Sequence, residues 1–128
     1  MDPIWIDERD ALAIHDRLLA LHGGAPGLRD AGLLGSALAR PQQRHAYDTQ
    51  AGIIELAAAH TFGIVRNHPF VDGNKRTGFV AAILFLELNG CRFLAAEDEA
   101  AQAVLELAAS TLDEPGYANF LRDNAVQD

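Results

Sequence analysis

Cysteine occurs once in this chain, at Cys91, and lysine once, at Lys75. A lone cysteine excludes an intrachain disulfide and any zinc site built on paired thiolates. Cys91 lies beside an apolar segment and reads as a small, half-buried residue rather than a nucleophile. Basic charge is also scarce: ten Lys and Arg stand against eighteen Asp and Glu, a formal net charge of −8. That argues against a broad nucleic-acid surface, which needs clustered positive charge. The apolar runs are too short or too interrupted to span a bilayer. The opening Met-Asp-Pro-Ile-Trp lacks the basic stretch and long apolar run of a signal peptide, so a cytoplasmic location is expected. No internal repeat or long linker divides the chain, and 128 residues suit one domain over positions 1–128.

What the chain has is apolar, alanine-rich helical sequence; hydrophobic residues make up 49%. The periodicity predicts an all-α bundle of about six helices around a central antiparallel pair, with at most one very short two-stranded β element. Ile4 to Ile6 form a short apolar lead, with Trp5 packing on the core. Asp7 caps a first helix that runs to Leu21 and closes at Gly23-Gly24. Pro26-Gly27 marks a turn, and Arg29 reads as a surface or loop-pinning residue rather than a catalytic one. Asp30 caps a second helix, which Pro41 should stop. Residues 41–47 read as irregular. Asp48 is expected to cap a strongly apolar third helix ending at Arg66, carrying His60 as a satisfied, half-buried residue. A fourth helix spans Asn74 to Leu88 and pairs with the third. Cys91 to Leu94 is a short extended segment that could pair with Ile4 to Ile6. A helix starting near Glu97 reaches Ala109. Asp113 to Gly116 forms a turn, a short helix follows from Tyr117 to about Arg122, and residues 124–128 should fray.

Between the two central helices lies His68-Pro-Phe-Val-Asp-Gly-Asn-Lys-Arg-Thr-Gly78. The first turn of the following helix exposes free N–H groups where the macrodipole favours an anion. Gly73 allows close approach or a positive φ. Lys75 and Arg76 add positive charge, so Gly73, Asn74, Lys75 and Arg76 form a candidate phosphate cradle. Asp72 is a candidate Mg²⁺ ligand, because that ion commonly binds through one or two carboxylates together with substrate phosphates. His68 is a candidate general base, with Pro69 biasing it toward extended backbone. Phe70 is expected to anchor the loop in the core. Arg66 is expected either to pair with Asp72 or to touch a phosphate. Together these are the parts of phosphoryl or nucleotidyl transfer; an ordinary Asp-Gly turn before a basic helix start is the plain alternative.

The motif resembles the active-site signature of the Fic/Doc superfamily, and its Asn74-Lys75-Arg76 ending resembles the Doc, or death-on-curing, toxin branch. Gly23 to Gly27, Leu28-Arg29-Asp30, Gly32-Leu33-Leu34 and Asn89-Gly90 extend the likeness over nearly the whole chain. The resemblance implies a Mg²⁺- and ATP-dependent protein kinase, a toxin that phosphorylates a threonine of elongation factor Tu and arrests translation. It implies His68 as the base, Asp72 as the metal ligand, the Gly73 to Arg76 segment on the ATP phosphates and Phe70 as structural. It places residues 41–47 near the active-site groove, and it implies a Phd-type antitoxin whose C-terminal segment folds as a helix into a groove on the toxin, with the first helix and residues 41–47 as candidates for that groove.

AMP-transferring Fic proteins have glycine where this chain has Lys75 and a second arginine where it has Phe79. A lysine side chain replaces open backbone with a mobile cation, which favours γ-phosphoryl transfer over AMP transfer. Protein AMP transfer and a catalytically silent Fic-fold binding module remain the rival readings. The Ser/Thr-x-x-x-Glu-Gly/Asn inhibitory segment of some Fic proteins is absent from the sequence, so inhibition in trans is expected.

Overall fold

The computed structural model describes residues 2–128. Within them lie six helices: α1 (Glu8–His22), α2 (Ala31–Tyr47), α3 (Ile53–Asn67), α4 (Asn74–Leu88), α5 (Glu97–Ala108) and α6 (Glu114–Asp123). Two three-residue strands, β1 (Cys91–Phe93) and β2 (Ala125–Gln127), form a small antiparallel sheet. The all-α bundle with one minimal β element is therefore as expected. Helices α3 and α4 run back along each other and share the most extensive contact, with α2 and α6 on the other flanks of α3. No helix among the described residues is long and apolar enough to cross a membrane.

Helix starts follow the predicted chemistry where aspartate leads. Asp7 accepts from the Asp10 N–H while Asp10 accepts from the Asp7 N–H, a reciprocal capping box. Asp30 caps α2 through the Leu33 N–H. Asp113 caps α6 through the Gly116 N–H, with Pro115 in the first turn, so that helix begins three residues before the expected Tyr117.

Other boundaries differ. Pro41 does not stop α2; it is buried inside a helix that reaches Tyr47, so residues 41–47 are regular. Proline removes the donor that the Ala37 carbonyl would have used. Gly63 of α3 packs against that carbonyl: a Cβ at position 63 would sit 2.9 Å from the Ala37 oxygen and 3.2 Å from its Cα. Tight helix–helix packing at this crossing thus offsets part of the cost of the lost bond. Asp48 closes α2 instead of opening α3, its N–H donating to the Arg44 carbonyl and its carboxylate accepting from Gln50. Helix α3 starts five residues later behind Gly52, whose N–H donates to Glu55.

The short strand pairs with the C-terminus rather than with Ile4 to Ile6. Cys91, Arg92 and Phe93 face Gln127, Val126 and Ala125. Arg92 pairs with Asp128 at 2.6 Å, and the Asp128 N–H donates to Gly90, so the tail expected to fray is tied down. Ile4 meets the Asn89 side chain instead: that amide accepts from the Ile4 N–H at 2.8 Å and donates to its carbonyl at 2.9 Å, imitating a strand neighbour.

The core joins Leu34 and Leu38, Leu56 and Ile64, Phe85 and Leu86, Leu107, Tyr117 and Leu121. A buried polar thread crosses it. Tyr117 donates to Thr61 at 3.3 Å, and Thr61 donates to the Gly78 carbonyl at 2.8 Å, linking α6, α3 and α4. Burial pushes the Tyr117 hydroxyl up to about 12. His60 is fully buried rather than half-buried. Its Nδ1 donates to the Leu56 carbonyl at 2.8 Å, its ring lies against Trp5 and Phe85, and its Nε2 has no partner.

Candidate functional site

The motif occupies the turn 68–73 between α3 and α4, and its backbone is held from three directions. Phe70 is fully buried, as expected of an anchor. Its ring stacks on His15 of α1, centroids 3.9 Å apart and planes 9° from parallel. The Asn74 side chain brackets the same residue, accepting from the Phe70 N–H and donating to its carbonyl, both at 2.9 Å. Asn74 is 4% exposed. Its amide is therefore committed to the turn, and only its backbone N–H remains for the cradle.

The loop before α2 supplies the second support. Leu28 and Phe70 form an isolated antiparallel bridge; the Arg29 and Asp30 N–H groups donate to Pro69, and the Val71 N–H donates to Gly27. The Arg29 guanidinium reaches further, donating through Nε to the His68 carbonyl at 2.7 Å and through Nη2 to that of Asn67 at 3.0 Å. Arg29 thus pins the loop, which decides between the surface and loop-pinning roles that the sequence left open. Its hydrogen bonds fix His68 in the left-handed region, φ 52° and ψ 54°, not in the extended backbone that Pro69 favours. A non-glycine residue in that region carries strain held by its surroundings. The His68 side chain is left exposed, free to meet a substrate.

Asp72 receives the third support. One carboxylate oxygen accepts from the Gly73 N–H at 2.8 Å and the other from the Ala25 N–H at 3.2 Å. Its carbonyl accepts from His15 Nε2 at 2.8 Å, so that nitrogen carries the ring proton. The Ala25 and Gly73 hydrogen bonds, with smaller contributions from His15 and Lys75, hold the Asp72 carboxyl below the usual carboxylate range. Gly24 makes this approach possible: at φ +122° it has a backbone that side chains rarely adopt, and a Cβ there would lie 2.9 Å from the Asp72 carboxylate.

Helix α4 begins at Asn74 behind Gly73, which stands at φ 80° and offers no side-chain cap. Lys75 and Arg76 are exposed in its first turn, beside His68 and Asp72 in the same short stretch. The stretch from His68 to Arg76 thus carries an exposed imidazole, an exposed carboxylate and two exposed cations within nine residues. Among the described residues no three His, Cys, Asp or Glu side chains converge as a metal cage. A lone carboxylate still fits Mg²⁺, which completes its shell with water and substrate phosphate. Each Asp72 oxygen retains acceptor capacity beyond its one N–H bond.

Arg66 is engaged elsewhere. Its Nη2 donates to Ser110 at 2.7 Å and its guanidinium lies over the Phe62 ring; it makes no ion pair with Asp72. His45 packs edge-on against Trp5, and Tyr47 is largely exposed. Sequence reasoning missed the bracing role of His15 and the structural use of the Asn74 amide. Position 15 carried no signal beyond a polar residue in an apolar stripe. The second glycine at 23–24 was a signal, since one glycine suffices to end a helix.

A family model described as the Fic/DOC family matches residues 5–86. The chain is 36% identical to the protein kinase Doc of Escherichia phage P1 over 85 residues, 66% of this chain and 68% of that protein. It is 42% identical to the toxin Doc of Mycolicibacterium smegmatis (strain ATCC 700084 / mc(2)155) over 113 residues, 85% of this chain and 84% of that protein. With this motif, this helical frame and these relatives, the chain belongs to the Fic/Doc family, in its Doc-toxin branch.

Proposed function

We propose that this protein is the toxin of a toxin–antitoxin pair and transfers the γ-phosphoryl group of ATP to a threonine hydroxyl of elongation factor Tu, arresting translation. The observation that carries the reading is the exposed His68, locked at the end of α3 four residues before Asp72 and the uncapped start of α4. The likeness to the protein kinase Doc of phage P1 supports phosphoryl over AMP transfer. So does Lys75, whose side chain fills the place that the AMP-transferring pattern leaves open.

In this mechanism His68 accepts the proton of the threonine hydroxyl. The hydroxyl oxygen bonds to the γ-phosphorus, the bond from that phosphorus to the β,γ-bridging oxygen breaks, and ADP leaves. The N–H groups of Asn74, Lys75 and Arg76, with the Lys75 and Arg76 side chains, hold the triphosphate. Asp72 would hold Mg²⁺, which when bound offsets phosphate charge. Phe70 and the Asn74 amide keep the turn in shape. A Phd-like antitoxin helix would cover apolar residues exposed on and beside α1: Leu12, Leu21, Leu28 and Val71.

Incubation with γ-labelled ATP and elongation factor Tu, read by mass, tests the reading. A gain of one phosphate, lost in His68→Ala, is expected. A gain of one AMP would replace the kinase with an AMP transferase. An unmodified target with the unaltered protein would overturn both.

A further inference from the structure

Away from the motif turn, α2 and α3 enclose a small cleft of about 130 Å³, lined by Ser36, Arg40, Gln43, Phe62, Arg66 and Asn67 among others. Two arginines share its aromatic wall. Their guanidinium carbons lie 4.6 Å (Arg40) and 5.2 Å (Arg66) from the same Phe62 centroid. In a chain of net charge −8 that is a local concentration of positive charge. Arg40 is paired with Glu114, whereas Arg66 has only the neutral Ser110 hydroxyl among the described residues. The positioning is specific. Ser110 sits at φ 64°, and the other described non-glycine residue with positive φ is His68. One orients the Arg66 side chain and the other ends the helix that carries it. Both are left-handed residues that close a helix, Ser110 after α5 and His68 after α3, and the closing hydrogen bonds fix where each stands.

We infer that this cleft receives an acidic side chain of the protein substrate, next to the hydroxyl presented to His68. The inference rests on the reading that the chain modifies a protein. Size excludes a nucleotide, since pockets for such ligands run to roughly 300–1,000 Å³. Charge selects an anion: each guanidinium keeps N–H groups beyond the one used on Glu114 or Ser110, and a carboxylate accepts from two such forks. Location selects the substrate. Asn67 lines the cleft and precedes His68, and Arg29 binds both of their carbonyls, so cleft and base share one fixed stretch of backbone.

Two arms test it. In the first, arginine side-chain Nε–H resonances are followed by NMR while N-acetyl-glutamate methylamide is titrated in, with the glutamine analogue and inorganic phosphate as controls. Saturable shifts confined to Arg40 and Arg66, about tenfold weaker with the glutamine analogue and abolished by Arg66→Gln, are expected. Equal drift at the exposed Arg9 and Arg17, or phosphate binding about tenfold tighter and displaced by ATP, would overturn the assignment. In the second arm, Arg40→Gln and Arg66→Gln should each raise the KM for elongation factor Tu by about tenfold, far more than the KM for ATP, with Arg66→Lys partly restoring it. An unchanged protein KM in an active enzyme would remove the substrate role. If no transfer occurs at all, the kinase reading falls, while the first arm alone still decides whether the cleft takes a carboxylate.

Discussion

Helix α3 and the residue that caps its C-terminus supply two histidines eight residues apart, and the protein treats them in opposite ways. At His60 the side chain is immobilised: the ring is buried against Trp5 and Phe85, Nδ1 is committed to Leu56, and the backbone is ordinary helix. At His68 the backbone is immobilised by Arg29 in a left-handed conformation, and the side chain is exposed. Burial fits the first to packing and unfits it for proton exchange. Fixing the main chain while releasing the ring does the reverse. Residue type alone therefore assigns neither role; the partners of backbone and ring do.

The largest expected effect separates the two residues by activity. Removing the ring in His68→Ala should lower phosphoryl transfer by about 10²–10⁴-fold, the range for loss of a general base. Because that side chain is exposed, stability should change little, and His68→Asn should change it least, as asparagine tolerates left-handed backbone. A collapse of Tm in His68→Asn would show that the ring is structural after all.

Next comes the acid response. Burial lowers the His60 pKa from 6.5 to about 4. Between those values the unfolded chain binds a proton that the folded chain refuses, so stability rises with pH across the window. It is lost as pH falls from about 6.5 toward 4, by ~3 kcal/mol at most, with no further loss from this group below. His60→Phe keeps the ring stacking and should flatten that part of a stability profile measured by urea unfolding. An unchanged slope in the variant would assign the acid response to other groups.

Gly63, three residues beyond His60, tests how tightly the packed half of the helix is held. Gly63→Ala must displace the backbone of α2, since its methyl would lie 2.9 Å from the Ala37 oxygen. Overpacking of this kind costs about 1–3 kcal/mol, enough to lower Tm by several degrees. A neutral or stabilising result would mean that α2 shifts freely on α3.

Much of this arrangement was written locally. Asp7, Asp30 and Gly23 announce helix ends through hydrogen bonds within a few residues, and the apolar spacing marks α3 and α4 without reference to anything distant. The motif concentrates its candidate chemistry in one turn, and Phe70 is legible as an anchor because a lone aromatic beside a polar loop has few other places to go. What was hidden depends on partners far away in sequence. Pro41 is tolerated because Gly63 packs against the carbonyl it orphans. Cys91 to Phe93 pair with Ala125 to Gln127 because Asn89 already occupies Ile4. His15 and Arg29 become supports of the turn only once α1 and the loop before α2 are laid against it, and nothing at those positions states that contact.

The smallest effect asks whether the turn is shaped from outside, as the contrast between the histidines implies. Gly23 and Gly24 both have positive φ, at +77° and +122°, yet a Cβ at Gly23 would meet nothing within 4 Å, whereas one at Gly24 would press on the Asp72 carboxylate and on Leu19. Gly23→Ala should therefore leave the Mg²⁺ dependence near its starting level, although φ 77° with ψ −176° is a region essentially confined to glycine and the variant should lose about 1–3 kcal/mol of stability. Gly24→Ala should push the carboxylate off the Ala25 N–H, and the Mg²⁺ concentration for half-maximal transfer should rise by about tenfold, as expected when a supporting partner of a metal ligand is lost. The carboxylate is the far end of a flexible side chain, so the turn itself survives, while a side chain at φ +122° should cost about 1–3 kcal/mol of stability, much as at Gly23. Equal Mg²⁺ dependence in the two variants would show that the α1 terminus does not position Asp72, and that the 68–73 turn keeps its geometry through its own hydrogen bonds.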